Sequence, residues 1–318
     1  MLILLCIHIL FYYAYLMFII SSTLSDVHFK VPQRMIECGL ATDEEDANKR
    51  ASQLIQAAVH RAKSAITKYN THNKGDGRAQ KKIAGCVPPL SECYFANKVP
   101  LELNRLISEY TIILTTLLDC KIDILLAETL STAREAIAIL NSLSNIIQQN
   151  KAENKKCCIP PLWISFTIHD DKPTNLRSDE ILEEACSSII QEASKLNLPL
   201  DAIGVNCSTP TAISTAIPIL VKVTEGSNIK VSAYGNCFQT TTSEWMNSLD
   251  DNEDGKKDTA KEMTNIYSSD YDEEGYLTPD AYTKFALEWI KSGAQIIGGC
   301  CGSRPAHIHK VAAAIKSK

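Results

Sequence analysis

The feature that most constrains the fold is a strict alternation between short apolar runs and longer amphipathic segments. The run IDILLAE (122–128) is apolar almost throughout, as expected for a strand buried on both faces of a sheet. The segment TAREAIAILNSLSNIIQQ (132–149) follows it, with apolar residues at the three-to-four spacing of a helix. At least six such strand–helix units occur in order along the chain. This alternation predicts a sheet of parallel strands connected by helices.

The chain length and the number of units favour one barrel. A chain of 318 residues has room for a (β/α)8 barrel of TIM type, and we prefer this α/β fold to an open doubly wound sheet. Neither GxGxxG nor GxxxxGK[ST] follows a predicted strand, so the sequence lacks the common nucleotide-phosphate motifs. The predicted strands are 81–89, 122–128, 162–168, 201–207, 229–234 and 294–299, and the predicted helices are 43–66, 103–120, 132–149, 178–196, 209–223, 278–293 and 305–317.

Two stretches interrupt the alternation. Residues 249–275 are acidic and polar without a clear period, which indicates a surface insertion. Residues 1–20 are apolar apart from one histidine and the tyrosine hydroxyls, and they are about long enough to span a bilayer. No Lys or Arg precedes Lys30, so the positive flank of a secretory signal is missing. We therefore separate an apolar segment, 1–16, from a barrel domain, 17–318.

Three interpretations of the apolar start remain open. It is a membrane anchor, a strand or helix of the core, or a chain start that differs from the start of the fold. The cysteine content points to the inside of the cell, because 12 cysteines in 318 residues lie far below the density of a disulfide scaffold. We expect a cytoplasmic protein, with membrane anchoring through residues 1–20 as the alternative. The formal net charge of −5 does not suggest a nucleic-acid partner.

Three cysteines follow predicted strands at the end where barrel enzymes place their active sites. Cys207 follows the strand 201–206, and Cys300 and Cys301 follow the strand that ends at Gly299. Thiolates are preferred zinc ligands, and three protein ligands leave a fourth position for a substrate. A disulfide between adjacent cysteines would be strained. The sequence therefore predicts a Zn²⁺ site; the alternative for the adjacent pair is two small buried apolar side chains.

Several motifs are similar to those of one enzyme family. GVNCSTP (204–210) and IGGCCGSRPAHI (297–308) resemble the two zinc motifs of the homocysteine S-methyltransferases. Other segments agree in the same order, among them IAGCVPPL (83–90), AETLSTAREA (127–136) and SAYGN (232–236). The resemblance covers roughly residues 17–316 and is stronger to the branch that uses S-methylmethionine or S-adenosylmethionine than to the betaine and folate branches. It implies methyl transfer from a sulfonium donor to the thiolate of homocysteine, which yields methionine.

The resemblance also implies substrate contacts. Glu128 aligns with the family carboxylate that receives the ammonium group of homocysteine. The other residues expected at the substrate are Asn206, Tyr234, Asn236 and Thr167. Asn206 is also placed to orient the zinc loop beside it.

The first part of the chain departs from the family pattern. The family opens with a strand that ends in Asp-Gly-Gly, whose aspartate helps to hold homocysteine, and this motif is absent here. The next family segment, a strand followed by Thr-x-Thr-Tyr-Gln, is present only in altered form as FIISSTLSD (18–26). The first βα unit is therefore missing or replaced by the apolar start. Two functions remain open: an active zinc methyltransferase, and a catalytically impaired zinc-binding relic or regulatory protein of the same fold.

Overall fold

The computed structural model describes residues 2–3, 32–37, 39–72, 81–91, 93–156, 158–239 and 270–317. Within these ranges the strands are β1 (Leu2–Ile3), β2 (Ala84–Val87), β3 (Ile124–Leu130), β4 (Leu162–Phe166), β5 (Leu200–Asn206), β6 (Lys230–Tyr234) and β7 (Ile296–Ile297). The helices are α1 (Pro32–Glu37), α2 (Glu44–His72), α3 (Leu103–Asp119), α4 (Ala133–Ala152), α5 (Leu182–Lys195), α6 (Pro210–Thr224), α7 (Pro279–Lys291) and α8 (Pro305–Lys316), with a short 3₁₀ turn at Ala96–Lys98.

The strands form one parallel sheet with the strand order of a barrel. From β2 to β7, each strand pairs with the next strand along the chain, and β7 also pairs with β1. A doubly wound sheet would instead reverse its strand order in the middle. The predicted α/β class and barrel type are therefore confirmed. The described residues contain no pairing between β1 and β2, so the barrel is not closed at this point.

The apolar start contributes to the sheet at its beginning. Leu2 and Ile3 pair in parallel with Ile296 and Ile297 of β7, which is the place of a first barrel strand beside the last one. This pairing agrees with the interpretation in which the start supplies a core strand. Residues 4–31, which include the altered family segment 18–26 and most of the candidate anchor, lie outside the described residues. None of the helices in the described ranges has the length and apolar composition needed to cross a membrane.

The predicted helices and strands occur, with shifted ends. The helix predicted at 178–196 begins only at Leu182, because short antiparallel bridges, Ile168 with Leu176 and Asn175 with Ile181, hold the preceding residues in an extended loop. The strand predicted at 294–299 is reduced to β7. The predicted insertion 249–275 lies outside the described residues up to residue 269.

The sheet carries apolar side chains on both faces, as its continuous apolar strands predict. In β3, Leu125 and Ala127 pack in the large core between the sheet and the helices. Ile124 and Leu126 belong to a second, smaller core inside the barrel, together with Trp163. The same inner core contains two cysteines, Cys207 and Cys300. The period of two along each strand therefore decides which side chains reach the interior of the barrel.

Candidate metal centre

All eight predicted site residues lie at the carboxyl end of the sheet. Glu128 is near the end of β3 and continues the inward series of Ile124 and Leu126. The others end a strand or follow one: Thr167 after β4, Asn206 and Cys207 at β5, Tyr234 and Asn236 at β6, and Cys300 and Cys301 after β7. The strand-end rule therefore places them on one face of the barrel.

The three cysteine side chains meet at this face. Their sulfur atoms all lie within 4.8 Å of one another, and the Sγ atoms of Cys207 and Cys301 are 3.4 Å apart. Cys207 and Cys300 are buried, whereas Cys301 is partly exposed. Sulfurs that share one tetrahedral zinc at about 2.3 Å would stand about 3.8 Å apart, within the observed range. The geometry therefore fits three thiolate ligands of one metal ion.

The three thiols do not titrate alike without a metal. Hydrogen bonds from Cys300 and Cys301 hold the pKa of Cys207 well below its usual value, and a hydrogen bond from Tyr94 acts in the same direction. The pKa values of Cys300 and Cys301 are raised well above normal, chiefly by their hydrogen bonds to Cys207. Three negative sulfurs cannot coexist in a buried site without a cation, because each charged form would be both desolvated and repelled.

A left-handed turn presents Cys207 to the site. Its φ angle is +50°, which is uncommon for a residue with a side chain and costs about 1 to 2 kcal/mol. The turn is fastened on both sides: the Cys207 N–H donates to the Tyr234 carbonyl at 3.2 Å, and the Thr167 hydroxyl donates to the Cys207 carbonyl at 3.3 Å. Helix α6 then begins at Pro210 with Thr209 as its N-cap. Thr167 therefore supports the ligand turn in this structure.

The adjacent cysteines are held by bonds to the loop after β6. The Cys300 N–H donates to the Gly235 carbonyl at 2.9 Å, and the Cys237 N–H donates to the Cys301 carbonyl at 2.8 Å. Gly302 follows with a φ of +76°, and a side chain there would run into the Tyr276 ring. This glycine therefore lets the chain turn away directly after the second thiol.

A buried hydroxyl ties the same two loops together. The Tyr282 hydroxyl donates to the Gly298 carbonyl at 2.7 Å and accepts from the Gly235 N–H at 3.0 Å. Both glycines lie directly after strands that end at the site. Tyr282 therefore fixes the spacing between the β6 and β7 loops.

The Asn206 side chain links β5 to β3 through two hydrogen bonds to Thr129, which we call the Asn206 clasp. Its Oδ1 accepts from the Thr129 N–H at 2.9 Å, and its Nδ2 donates to the Thr129 hydroxyl at 2.8 Å. The same Nδ2 lies 3.8 Å from the Cys300 sulfur. Thr129 has a φ of +63° and directly follows Glu128, so the clasp holds an unfavourable backbone turn beside the predicted ammonium ligand. Asn206 thus connects the ends of β3 and β5 beside the cysteines.

Oδ1 of Asn236, near the metal centre, is buried without a hydrogen-bond partner among the described residues, whereas the buried hydroxyls of Tyr234 and Ser165 lie close enough to interact with each other. Burial raises the pKa of Tyr234 well above normal, and the nearby negative charge of Glu128 raises it further. Buried polar groups are nearly always paired, so the unpaired Oδ1 indicates a place for a polar ligand. The predicted residues Tyr234, Asn236 and Glu128 therefore place polar groups at the end of the barrel that holds the thiols.

Sequence reasoning missed the polar residues that support the cysteines from other loops. The Tyr94 hydroxyl lies 3.0 Å from the Cys207 sulfur, and the Arg177 guanidinium lies over the Tyr94 ring. Arg177 pairs with Asp170 at 3.4 Å, and both side chains are almost completely buried. The motif DDKPTNLRSDE carries both charges, but nothing in its spacing shows that they are buried together.

The two histidines after the cysteine pair have unlike surroundings. His307 is buried; its Nδ1 accepts from the Arg304 N–H at 3.0 Å, and its Nε2 lies 2.7 Å from the Leu277 carbonyl. This pattern requires a neutral ring with the proton on Nε2. His309 is exposed on the opposite side of α8. Neither ring belongs to the cluster of thiols.

Comparison with known proteins gives a single family. The family model described as homocysteine S-methyltransferase matches residues 33–315. Homocysteine S-methyltransferase 4 of Zea mays is 28% identical over 156 residues, which cover 49% of this chain and 36% of the maize protein. The selenocysteine methyltransferase of Astragalus bisulcatus is 26% identical and is covered to 43%, with 59% of this chain aligned. The chain thus spans less than half the length of these two relatives.

A longer alignment and a solved structure agree with this result. Homocysteine S-methyltransferase YbgG of Bacillus subtilis is 24% identical over 274 residues, which cover 84% of this chain and 72% of the relative. The metallated form of the homocysteine methyltransferase MmuM from Escherichia coli superposes with a TM-score of 0.62 at 18% identity, covering 90% of this chain and 77% of that one. At 18% identity, the structural similarity supports a shared fold only.

Proposed function

Because the chain belongs to the homocysteine S-methyltransferase family, we propose that it transfers a methyl group from a sulfonium donor to the sulfur of homocysteine and so produces methionine. The donor is S-methylmethionine or S-adenosylmethionine. The observation that carries the proposal is the meeting of three thiols within 4.8 Å at the carboxyl end of the barrel. The leaving group of a sulfonium donor departs as a neutral thioether, so no side chain has to protonate it.

The metal proposed for the triad is zinc, held by Cys207, Cys300 and Cys301. Three sulfur ligands with no oxygen donor among them suit zinc and are a poor match for magnesium or calcium. When bound, zinc supplies a positive charge that keeps the thiol of homocysteine deprotonated at neutral pH. The protein holds the three sulfurs ready through the turn at Cys207 and the loop bonds at Gly235, which fix their positions.

The residues beside the triad are proposed to bind the amino-acid part of homocysteine. Glu128 offers a carboxylate for the ammonium group, close enough to Tyr234 to influence its pKa. Tyr234 contributes a buried hydroxyl, and Asn236 contributes an Oδ1 that lacks a partner in the described part of the chain. Asn206 and Thr167 support this site without touching the substrate, because their side chains bond to Thr129 and to the Cys207 carbonyl. These contacts are proposed to align the substrate sulfur with the methyl donor, and such positioning can lower the barrier substantially.

The wider organisation of the protein follows from the same proposal. Residues 17–318 form the homocysteine-binding barrel domain, residues 1–16 an apolar segment, and residues 249–275 an acidic surface insertion. The partners are small molecules, and the protein acts in the cytoplasm. Attachment to a membrane through residues 1–20 is the alternative, and fractionation of cells that express the full chain distinguishes the two.

A second candidate function rests on one observation. The sequence has no Asp-Gly-Gly motif, which in the family supplies an aspartate to homocysteine. A protein of this kind would bind zinc without turnover and act as a relic or a regulator. The thiol cluster is compatible with both functions, since it holds the metal and not the amino-acid part of the substrate.

Methionine formation decides between the two functions. Purified full-length protein loaded with zinc is incubated with homocysteine and either sulfonium donor, and methionine is measured by mass spectrometry. We expect methionine to form with at least one donor and not to form with the Cys300→Ser variant. Stoichiometric zinc without methionine from either donor would favour the second function, and a chain that takes up no zinc would contradict both.

A further inference from the structure

We propose that Tyr94 is a positioning residue of the metal centre: its hydroxyl donates a hydrogen bond to the metal-bound thiolate of Cys207 and so holds this ligand in place. The inference rests on the proposed metal site, to which it adds a residue from another loop. Tyr94 follows β2 and lies 113 positions before Cys207 in the sequence. The loop that carries it supplies none of the three thiols of the cluster.

Coordination of Cys207 to the proposed metal determines which atom is the donor. The oxygen of Tyr94 and the sulfur of Cys207 are 3.0 Å apart. In a metal-free thiol either atom can donate, but a thiolate bound to a metal has no proton left. The Tyr94 hydroxyl must then donate, and a charge-assisted hydrogen bond of this kind is stronger than one between neutral groups.

A buried ion pair aims the tyrosine ring. The Arg177 guanidinium lies 5.2 Å from the centre of the Tyr94 ring, and its Nη2 lies 3.4 Å from Asp170. Asp170 also accepts the N–H of Thr209 at 2.9 Å, two residues beyond Cys207. The ion pair therefore contacts the tyrosine on one side and the ligand turn on the other.

The burial and the contacts of this ion pair indicate a role besides packing in the core. The side chains of Arg177 and Asp170 are only 2% and 1% exposed, and burying such a pair rarely adds to stability by itself. Three of its further contacts lead to the surroundings of one sulfur: the Tyr94 ring, the N–H of Thr209 and, at 3.4 Å, the hydroxyl of Thr167, which bonds the Cys207 carbonyl. We conclude that the pair keeps the Tyr94 hydroxyl directed at the ligand.

Zinc affinity tests the inference directly. Tyr94→Phe removes only the hydroxyl oxygen, and loss of such a supporting contact weakens metal binding about 10- to 100-fold in known sites. The affinity is measured on the full chain by competition with a chromophoric chelator. Tyr110→Phe is the matched control, because its buried hydroxyl also donates to a side chain, the carboxyl of Glu135 at 3.3 Å, but lies in the core outside the barrel. We expect the control to bind zinc as the unaltered protein does.

Cobalt(II) provides a second readout that general loosening of the fold would not change. Loss of a hydrogen bond raises the energy of the sulfur lone pair, so the thiolate-to-cobalt absorption band of Tyr94→Phe should move to longer wavelength. Arg177→Lys keeps the charge opposite Asp170 but lacks the planar group over the ring, so we expect a smaller loss of zinc affinity in the same direction. This second variant carries the test if Tyr94→Phe fails to fold by circular dichroism.

The outcomes separate this inference from the proposed function. Equal zinc affinity in Tyr94→Phe and the unaltered protein, or an equal loss in Tyr94→Phe and Tyr110→Phe, overturns the role of Tyr94 and leaves the metal site standing. An unaltered protein that binds no zinc overturns the metal site and this inference together.

Discussion

The clasp formed by Asn206 leads to a quantitative prediction about stability. Its side chain makes two short hydrogen bonds to Thr129, one at the backbone N–H and one at the hydroxyl. These bonds connect the end of β5 with the end of β3, although β4 lies between the two strands in the sheet. Asn206→Ala removes both bonds at once. It also removes the contact with the sulfur of Cys300.

The expected loss follows from the groups that are left without a partner. A typical hydrogen bond contributes about 1 kcal/mol, and a buried donor left unpaired costs about 1 to 3 kcal/mol. The Thr129 N–H loses its acceptor, and the Thr129 hydroxyl oxygen loses a donor. We therefore expect Asn206→Ala to lower the free energy of unfolding by about 2 to 4 kcal/mol. Release of the left-handed backbone at Thr129 would return about 1 to 2 kcal/mol of this loss at most.

Equilibrium unfolding in urea measures this loss, with metal-free protein so that zinc binding does not add to the apparent stability. Asn236→Ala is the matched control: Asn236 is also buried at the mouth of the barrel, but its Oδ1 has no partner among the described residues. We expect the control to cost less than about 1 kcal/mol. Asn206→Asp keeps the acceptor for Thr129 N–H and should fall between the two. Equal losses in the two alanine variants would refute the reasoning.

Three further predictions concern the metal, the substrate and pH. Cys300→Ser should lose most of its zinc, as measured by elemental analysis. Cys186→Ala removes a buried thiol outside the cluster and should keep its zinc. Full zinc content in the serine variant would contradict the ligand assignment. Glu128→Gln should raise the KM for homocysteine far more than it lowers kcat, because it removes a charge that binds the ammonium group in ground state and transition state alike; an unchanged KM argues against that role. Burial lowers the pKa of His307 below its usual 6.5, so below that pH the unfolded chain binds more protons than the folded one and stability falls as the solution is acidified. The melting temperature should therefore drop less between about pH 7 and pH 5 in His307→Gln than in His309→Gln or the unaltered protein, and equal slopes would exclude His307 as the cause.

The sequence alone was sufficient for the fold class and for the prediction that three cysteines meet at one end of the barrel. Strand and helix periods are local properties, so the alternation of apolar runs and amphipathic segments predicts the parallel sheet without knowledge of distant contacts. Parallel strands bring their carboxyl ends to one edge whatever their detailed register, and this brought Cys207 together with Cys300 and Cys301 across more than ninety residues. Helix ends such as that at Leu182 were less predictable, because loop bridges to other segments decided them.

Only the tertiary structure decided which polar side chains contact those cysteines. Tyr94 reaches Cys207 from a loop on another strand, and Arg177 and Asp170 become a pair only when the chain is packed around them. Asn206 was expected at the substrate and near the zinc loop, but its bonds to Thr129 depend on how β3 and β5 are aligned through β4. Such contacts leave no periodic signal in the sequence, because each joins single side chains from elements far apart in the chain and is held by burial and by the direction of the hydrogen bonds.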